Sequence, residues 1–159
     1  MMRFILMASL GLMIFLPAAY AAESFECTQC CCGTYTLFPG SEPLMPVMSW
    51  EESGIMMSNS ENKFLDKATH HYNGVQRGLR EKRNGYFYGK IMDPDGDLII
   101  LESSFTYPGH HEKFLEGTGK YKGITGGFDA QRLATDKSVM PGTYHLCRKI
   151  KAMFEFPPK

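Results

Sequence analysis

Cys27-Thr28-Gln29-Cys30-Cys31-Cys32 places two thiols, Cys27 and Cys30, at the spacing that zinc, iron–sulfur and thiol-redox sites use. It is half of a site. A closed zinc site takes four ligands, and the second pair would have to be His145 and Cys147, which alternate onto one face of the last strand. Three chemistries compete: disulfides that tie this segment to the body of the protein through Cys147, soft-metal binding by thiolates with copper or zinc, and redox exchange. Thioredoxin-like exchange lacks the helix that depresses a cysteine pKa, and covalent haem needs a histidine where Cys31 stands. Disulfides among Cys27, Cys30, Cys31, Cys32 and Cys147 are the favoured reading. Five is odd, so one thiol is expected to stay free or to pair between chains. Any metal would use Cys30, Cys31 and Cys32 beside His145 or Cys147, and full oxidation would abolish it.

Other constellations are weaker. His70-His71 and His110-His111 are adjacent pairs, and neighbours on a strand face opposite ways, so neither pair chelates alone. His110 and His111, beside Pro108-Gly109, read as loop residues. A copper or zinc site taking one histidine from each pair has no feature that brings them together. Glu51-Glu52 follows the single tryptophan, Trp50, and reads first as a strand-end charge pair in water; the alternative is that one carboxyl enters the barrel, where burial would raise its pKa toward general-acid use. Asp93, Asp95 and Asp97 miss calcium-loop spacing, with Gly96 and Glu102 out of place, and read as a hairpin turn. No phosphate-loop, dinucleotide or nucleophile-elbow pattern survives inspection, so no cofactor and no catalytic residue is assigned.

Lys plus Arg and Asp plus Glu both number 17, so no net field would gather phosphates, and nucleic acid is not expected as a partner. With 159 residues the chain suits one domain and excludes large cofactor enzymes. Met1-Met2-Arg3 precedes an apolar run, Phe4 to Leu16, that is short for a membrane span, then Pro17 and the small residues Ala19 and Ala21 around Tyr20. Residues 1–21 therefore read as a signal peptide cut before Ala22, giving an exported, periplasmic or secreted protein with no integral membrane span after cleavage. Its cysteines then meet an oxidising compartment.

Residues 22–46, rich in cysteine and proline, read as a stapled N-terminal arm, and residues 47–159 as the folded domain. Short runs rich in Ile, Tyr, Phe, Thr and Val are broken by Gly, Asn, Asp and Pro, with no clean helical period. Tyr144, Leu146, Arg148, Ile150, Ala152, Phe154 and Phe156 alternate with more polar residues as a long strand with one wet side. Tyr86 to Met92 and Leu98 to Ser103 flank the DPDGD turn as a hairpin, and Leu98-Ile99-Ile100-Leu101 reads as covered on both faces. Arg77 to Arg83 is the densest run of charge and reads as a solvated hairpin loop. Gly117, Gly119, Gly123, Gly126 and Gly127 punctuate the segment before the last strand, as the bends of a small closed sheet require. The fold class is all-β, a small antiparallel barrel with the arm stapled to it.

The segment GTGKYKGITGGF, between the DPDGD hairpin and the long terminal strand, resembles the allene oxide cyclase-like barrel group, a pattern also carried by small exported bacterial proteins, while dirigent proteins share the barrel. The resemblance covers roughly His70 to Phe156 and rests on Gly117, Thr118, Gly119, Gly123, Thr125 and Gly126. It implies about eight strands and a homo-oligomer of the kind common in that group; plant members cyclise an unstable fatty-acid epoxide or steer radical coupling. No catalytic residue of the group maps onto this chain. The leading expectation is a non-enzymatic barrel that binds a small apolar ligand or a protein partner. The rival is a small isomerase or cyclase acting on a lipid-like substrate inside the barrel. Trp50, His70, Tyr72, Tyr88 and Glu102 are the candidate ligand-binding residues.

Overall fold

The structure, a computed structural model, describes residues 22–39, 46–78, 82–106, 109–136 and 138–157. Eight strands follow one another in sequence: β1 (Glu23–Leu37), β2 (Val47–Ser58), β3 (Thr69–Arg77), β4 (Asn84–Met92), β5 (Leu98–Thr106), β6 (Gly109–Gly117), β7 (Thr125–Asp136) and β8 (Thr143–Glu155). Each pairs antiparallel with the next, and β8 closes on β1, so the sheet is a closed eight-stranded barrel without a free edge. The leader-like segment, residues 1–21, and part of the Arg77 to Arg83 run lie outside the described residues.

The cysteine segment is stapled, and it is also a barrel strand. Cys30 bonds Cys147, its direct cross-strand partner on β8. The segment pairs along almost its whole length with both β2 and β8, rather than lying outside the sheet as an arm. The prolines that argued against pairing come after β1 ends at Leu37, and cysteine sits comfortably on a pleated surface. One free thiol was expected; three stay unbonded, Cys27 and Cys31 buried and Cys32 exposed. Period-two alternation explains this. Phe25, Cys27, Gln29 and Cys31 point inward, while Cys30 and Cys32 point out, so consecutive thiols cannot converge.

The β4–β5 hairpin and β8 follow the expected alternation, with Leu146, Arg148, Ile150, Ala152 and Phe154 buried. Leu98 and Ile100 are half-buried on the outer face while Ile99 and Leu101 enter the core, so this strand is not covered on both sides among the described residues. A barrel strand has one interior face, and its neighbours' side chains shield the other only in part. His110 and His111 lie within β6 rather than in a loop.

Inside, the barrel is layered. One end is packed and apolar: Phe25, Met56, Ile91, Ile99, Leu101, Phe114, Phe128, Ile150 and Phe154 form a continuous cluster. The β2–β3 connection plugs it, with Phe64 stacked on Phe154 at 4.1 Å and edge-on to Phe25 at 5.0 Å and Tyr121 at 5.5 Å. A 3₁₀ turn, Gly119–Tyr121, covers the same end. It is fixed by Asp93, which accepts the backbone N–H groups of Asp95 and Asp97 on Oδ1 and the Tyr121 hydroxyl on Oδ2. The three aspartates are therefore a turn-building cluster, with Lys120 bridging Asp93 and Asp95.

Candidate functional site

Above the packed end lies a belt of buried polar side chains, Gln29, Glu52, His70, Ser103, Glu112 and Arg148. Glu52 and Arg148 are its centre. The guanidinium holds the carboxylate with both prongs, Nη1 to Oε1 at 2.5 Å and Nη2 to Oε2 at 2.8 Å. The Tyr144 hydroxyl donates to Oε2 at 2.9 Å. Arg148 Nη1 also donates to Gln29 Oε1 at 2.9 Å, and Gln29 Nε2 donates to the Tyr72 hydroxyl at 3.0 Å. Glu51 and Glu52 are not the solvated pair that was favoured: alternation turns Glu52 inward, 1 % exposed. Its pKa does not rise as the general-acid alternative requires. Burial alone would raise it, but the Arg148 charge and the hydrogen bonds from Arg148 and Tyr144 outweigh burial and hold the carboxyl below its usual range. It is an anion locked in an ion pair, not a general acid.

Two groups in the belt are left without hydrogen bonds. Glu112 is fully buried, and its Oε1 stands 2.9 Å from His110 Nε2 in an orientation that makes no hydrogen bond for either atom. Neither ring nitrogen of His70 has a partner, and burial pushes its pKa down to about 4, against the opposing pull of Glu52. Burial pushes the inward Cys27 and Cys31 thiols up to about 12, with the Glu112 charge adding to it at Cys27 and the Glu52 charge at Cys31.

Beyond the belt the barrel opens into a cavity of about 810 Å³. Met48, Trp50, Phe87, Phe105 and Leu146 supply apolar wall; Glu52, His110, Tyr144 and Arg148 are among the polar groups, and charged side chains including Arg132, Lys149 and Lys151 also line it. The Trp50 ring meets Phe87 edge-on at 5.3 Å, and Phe87 stacks on Tyr72 at 5.3 Å beneath it. Among the described residues, β6 and β7 pair at His111, Glu112 and Lys113, a shorter register than that of the other neighbouring strands.

The five sequence candidates divide three to two. Trp50 lines the cavity, and His70 and Tyr72 are buried in the belt. Tyr88 is 50 % exposed and faces outward, directly across from Glu102 on the outer face of β5, where Glu102 accepts the Tyr86 hydroxyl at 2.6 Å. These two belong to the outside because they sit one residue out of phase with Phe87 and Leu101. Glu52 was weighed from sequence; Arg148, Tyr144, Gln29 and Glu112 were missed as site residues. The one available signal was Arg148, a charge on the apolar face of the last strand. His70 and His110 do not meet: His110 stands with Glu112, and His70 with Cys31 and Glu52. His145 faces out beside Cys32, and the disulfide consumes Cys30 and Cys147, so the proposed four-ligand thiolate set does not converge.

No family model matches the sequence, and no curated protein matches it. Among solved structures, the chain is similar to a pterocarpan synthase dirigent protein, with a TM-score of 0.52 and 10 % identity over 91 % of this chain and 97 % of that one. The fold is a dirigent-like barrel. At that identity the likeness concerns the path of the backbone, and the dirigent-like barrel here carries its own interior set of side chains. No helix among the described residues is long and apolar enough to cross a membrane.

Proposed function

We propose that this dirigent-like barrel is an exported binding protein that takes a small, mainly apolar molecule into its open half. The observation that carries the reading is the cavity itself: a volume near 810 Å³, within the range of about 300–1,000 Å³ typical of ligand pockets, with aromatic and aliphatic walls and a few polar groups converging at its floor. Arg148 is already committed to Glu52, but Arg132 also lines the cavity, so a ligand with one or two polar or acidic groups on an apolar frame fits best. Export is supported by the leader-like first 21 residues and by the Cys30–Cys147 bond, which belongs to oxidising compartments.

Trp50 is the sole tryptophan and lies in the cavity wall, so its emission reports occupancy without a label. Titration with an apolar fluorescent probe such as anilinonaphthalene sulfonate should produce saturable energy transfer from Trp50, abolished in Trp50→Phe. Probe binding that leaves Trp50 emission unchanged would defeat the reading. A second reading, turnover of a lipid-like substrate in the same cavity, is favoured by the buried His110–Glu112 contact, an unsatisfied acid–base pair beside the cavity wall. Mass spectrometry of a compound that copurifies with the native protein separates the two: release unchanged supports binding, and conversion on incubation supports the isomerase.

A further inference from the structure

Cys31 on β1 pairs with Gly54 on β2, and Gly54 pairs with His70 on β3, so the three form one row across the barrel wall. Gly54 occupies an inward position and has no side chain to fill it. A Cβ there would lie 2.7 Å from both His70 Cε1 and the Cys31 Cα and would overlap the Cys30 carbonyl oxygen. The imidazole therefore lies over the glycine, toward β1. Glu52 is the next inward residue along β2. One ligand atom from each of Cys31, Glu52 and His70 lies within 4.8 Å of the other two, and all three residues are buried.

We propose that Cys31, Glu52 and His70 form a zinc-class metal site in the barrel interior. Thiolate, carboxylate and imidazole are all zinc ligands, at about 2.3, 2.0–2.2 and 2.0–2.1 Å. Atoms at those radii around a tetrahedral ion stand about 3.5 Å apart, so small side-chain rotations close the set. A thiolate argues against calcium and magnesium, and a single thiolate with one hard oxygen argues against copper(I). His70 is 3 % exposed with no hydrogen-bond partner on either nitrogen, an arrangement that costs free energy unless something takes its lone pair. Each carboxylate oxygen has two lone pairs, and Oε1 of Glu52 accepts one hydrogen bond from Arg148; the Cys31 thiol also hydrogen-bonds Glu52, a contact that metal binding would replace. Arg148 and Tyr144 then orient the ligand from outside, as the partners of metal-bound carboxylates do.

Binding exchanges a proton for the ion: the Cys31 S–H bond breaks, an S–metal bond forms, and one proton leaves to solvent. Three protein ligands would leave a fourth position open, and one of them, Glu52, also lines the cavity. The site stands independently of the small-molecule reading.

The test uses chelator-treated, disulfide-intact protein titrated with cobalt(II) and then zinc(II). One cobalt per chain should produce tetrahedral ligand-field bands and a sulfur-to-cobalt charge-transfer band, both bleached by zinc. Cys31→Ser should abolish the sulfur band, His70→Gln should weaken zinc binding at least tenfold, and Cys32→Ser should change neither. Because serine at a buried position itself costs stability, two measurements on the unaltered protein accompany the variants: zinc should release one proton per chain and protect Cys31, mapped by peptide mass, from alkylation. Absence of a sulfur band, a band that persists in Cys31→Ser, or zinc binding without proton release and Cys31 protection would overturn the site.

Discussion

Replacing Arg148 by methionine tests the buried ion pair directly. Methionine matches the aliphatic stem but leaves the Glu52 carboxylate, 1 % exposed, with only the Tyr144 hydroxyl to compensate its charge. It also removes the donor to Gln29 Oε1. Removing one partner from a buried pair costs about 3–5 kcal/mol, because the remaining charge is desolvated and unpaired. For a domain of this size each kcal/mol moves the melting temperature by roughly 3–4 °C, so the variant should melt about 10–20 °C lower. Glu52→Met should be similarly costly. The double variant should recover most of the loss, since replacing both charges with apolar side chains of similar volume is close to neutral. Urea unfolding of the four proteins with chelator present, followed by near-ultraviolet circular dichroism, gives the coupling from a double-mutant cycle, expected at about 6 kcal/mol because two costly singles lead to a nearly neutral double. A loss below about 1 kcal/mol for Arg148→Met, or a double variant as unstable as the sum of the singles, would refute the account of the belt.

Removing the disulfide by Cys30→Ala with Cys147→Ala frees a loop closed over a sequence separation of 117, and should lower stability by about 3 kcal/mol, with a chain-entropy ceiling near 5, read as a lower urea midpoint. Asp93→Asn should cost about 1–3 kcal/mol at neutral pH by weakening the turn cluster around Tyr121. Burial works against the Asp93 carboxylate, but Lys120, Tyr121 and two backbone N–H groups hold its pKa below 3.8. A depressed carboxylate stabilises the fold above its unfolded pKa and loses that contribution as pH falls through the folded value, so melting curves of wild type and variant should start to converge as pH falls past about 3.8 and meet only below the folded pKa. Gly54→Ala should cost about 3 kcal/mol because its new methyl meets backbone on β1, whereas Gly96→Ala, with open space around it and φ of +91°, should cost only about 1 kcal/mol; comparison of the two urea midpoints checks the ranking.

The period-two alternation of apolar residues made most of the fold readable without coordinates. Tyr144 to Phe156 could only be a strand with Leu146, Ile150 and Phe154 on one face, and the DPDGD turn could only be a hairpin between two such strands. Alternation also says which of two adjacent residues shares a face with a given neighbour, so it separated Glu51 from Glu52 and His70 from His71. It does not say which face is inside when both carry polar groups. Tyr88 and Glu102 look as suited to a pocket as Trp50 and Tyr72, and only the phase set by Phe87 and Leu101 within the closed sheet puts them outside. The cysteine run misled for a local reason: prolines beyond Leu37, in the connection to β2, obscured a strand whose other pairing partner, β8, lies far away in sequence. Closure of the barrel decided what no segment contains. It set Arg148 against Glu52 across 96 residues, brought Cys30 to Cys147 across 117, and gathered Cys31, Glu52 and His70 around one glycine. Local alternation depends on backbone geometry within a strand, but contacts across a barrel depend on register and closure, which are properties of all eight strands together.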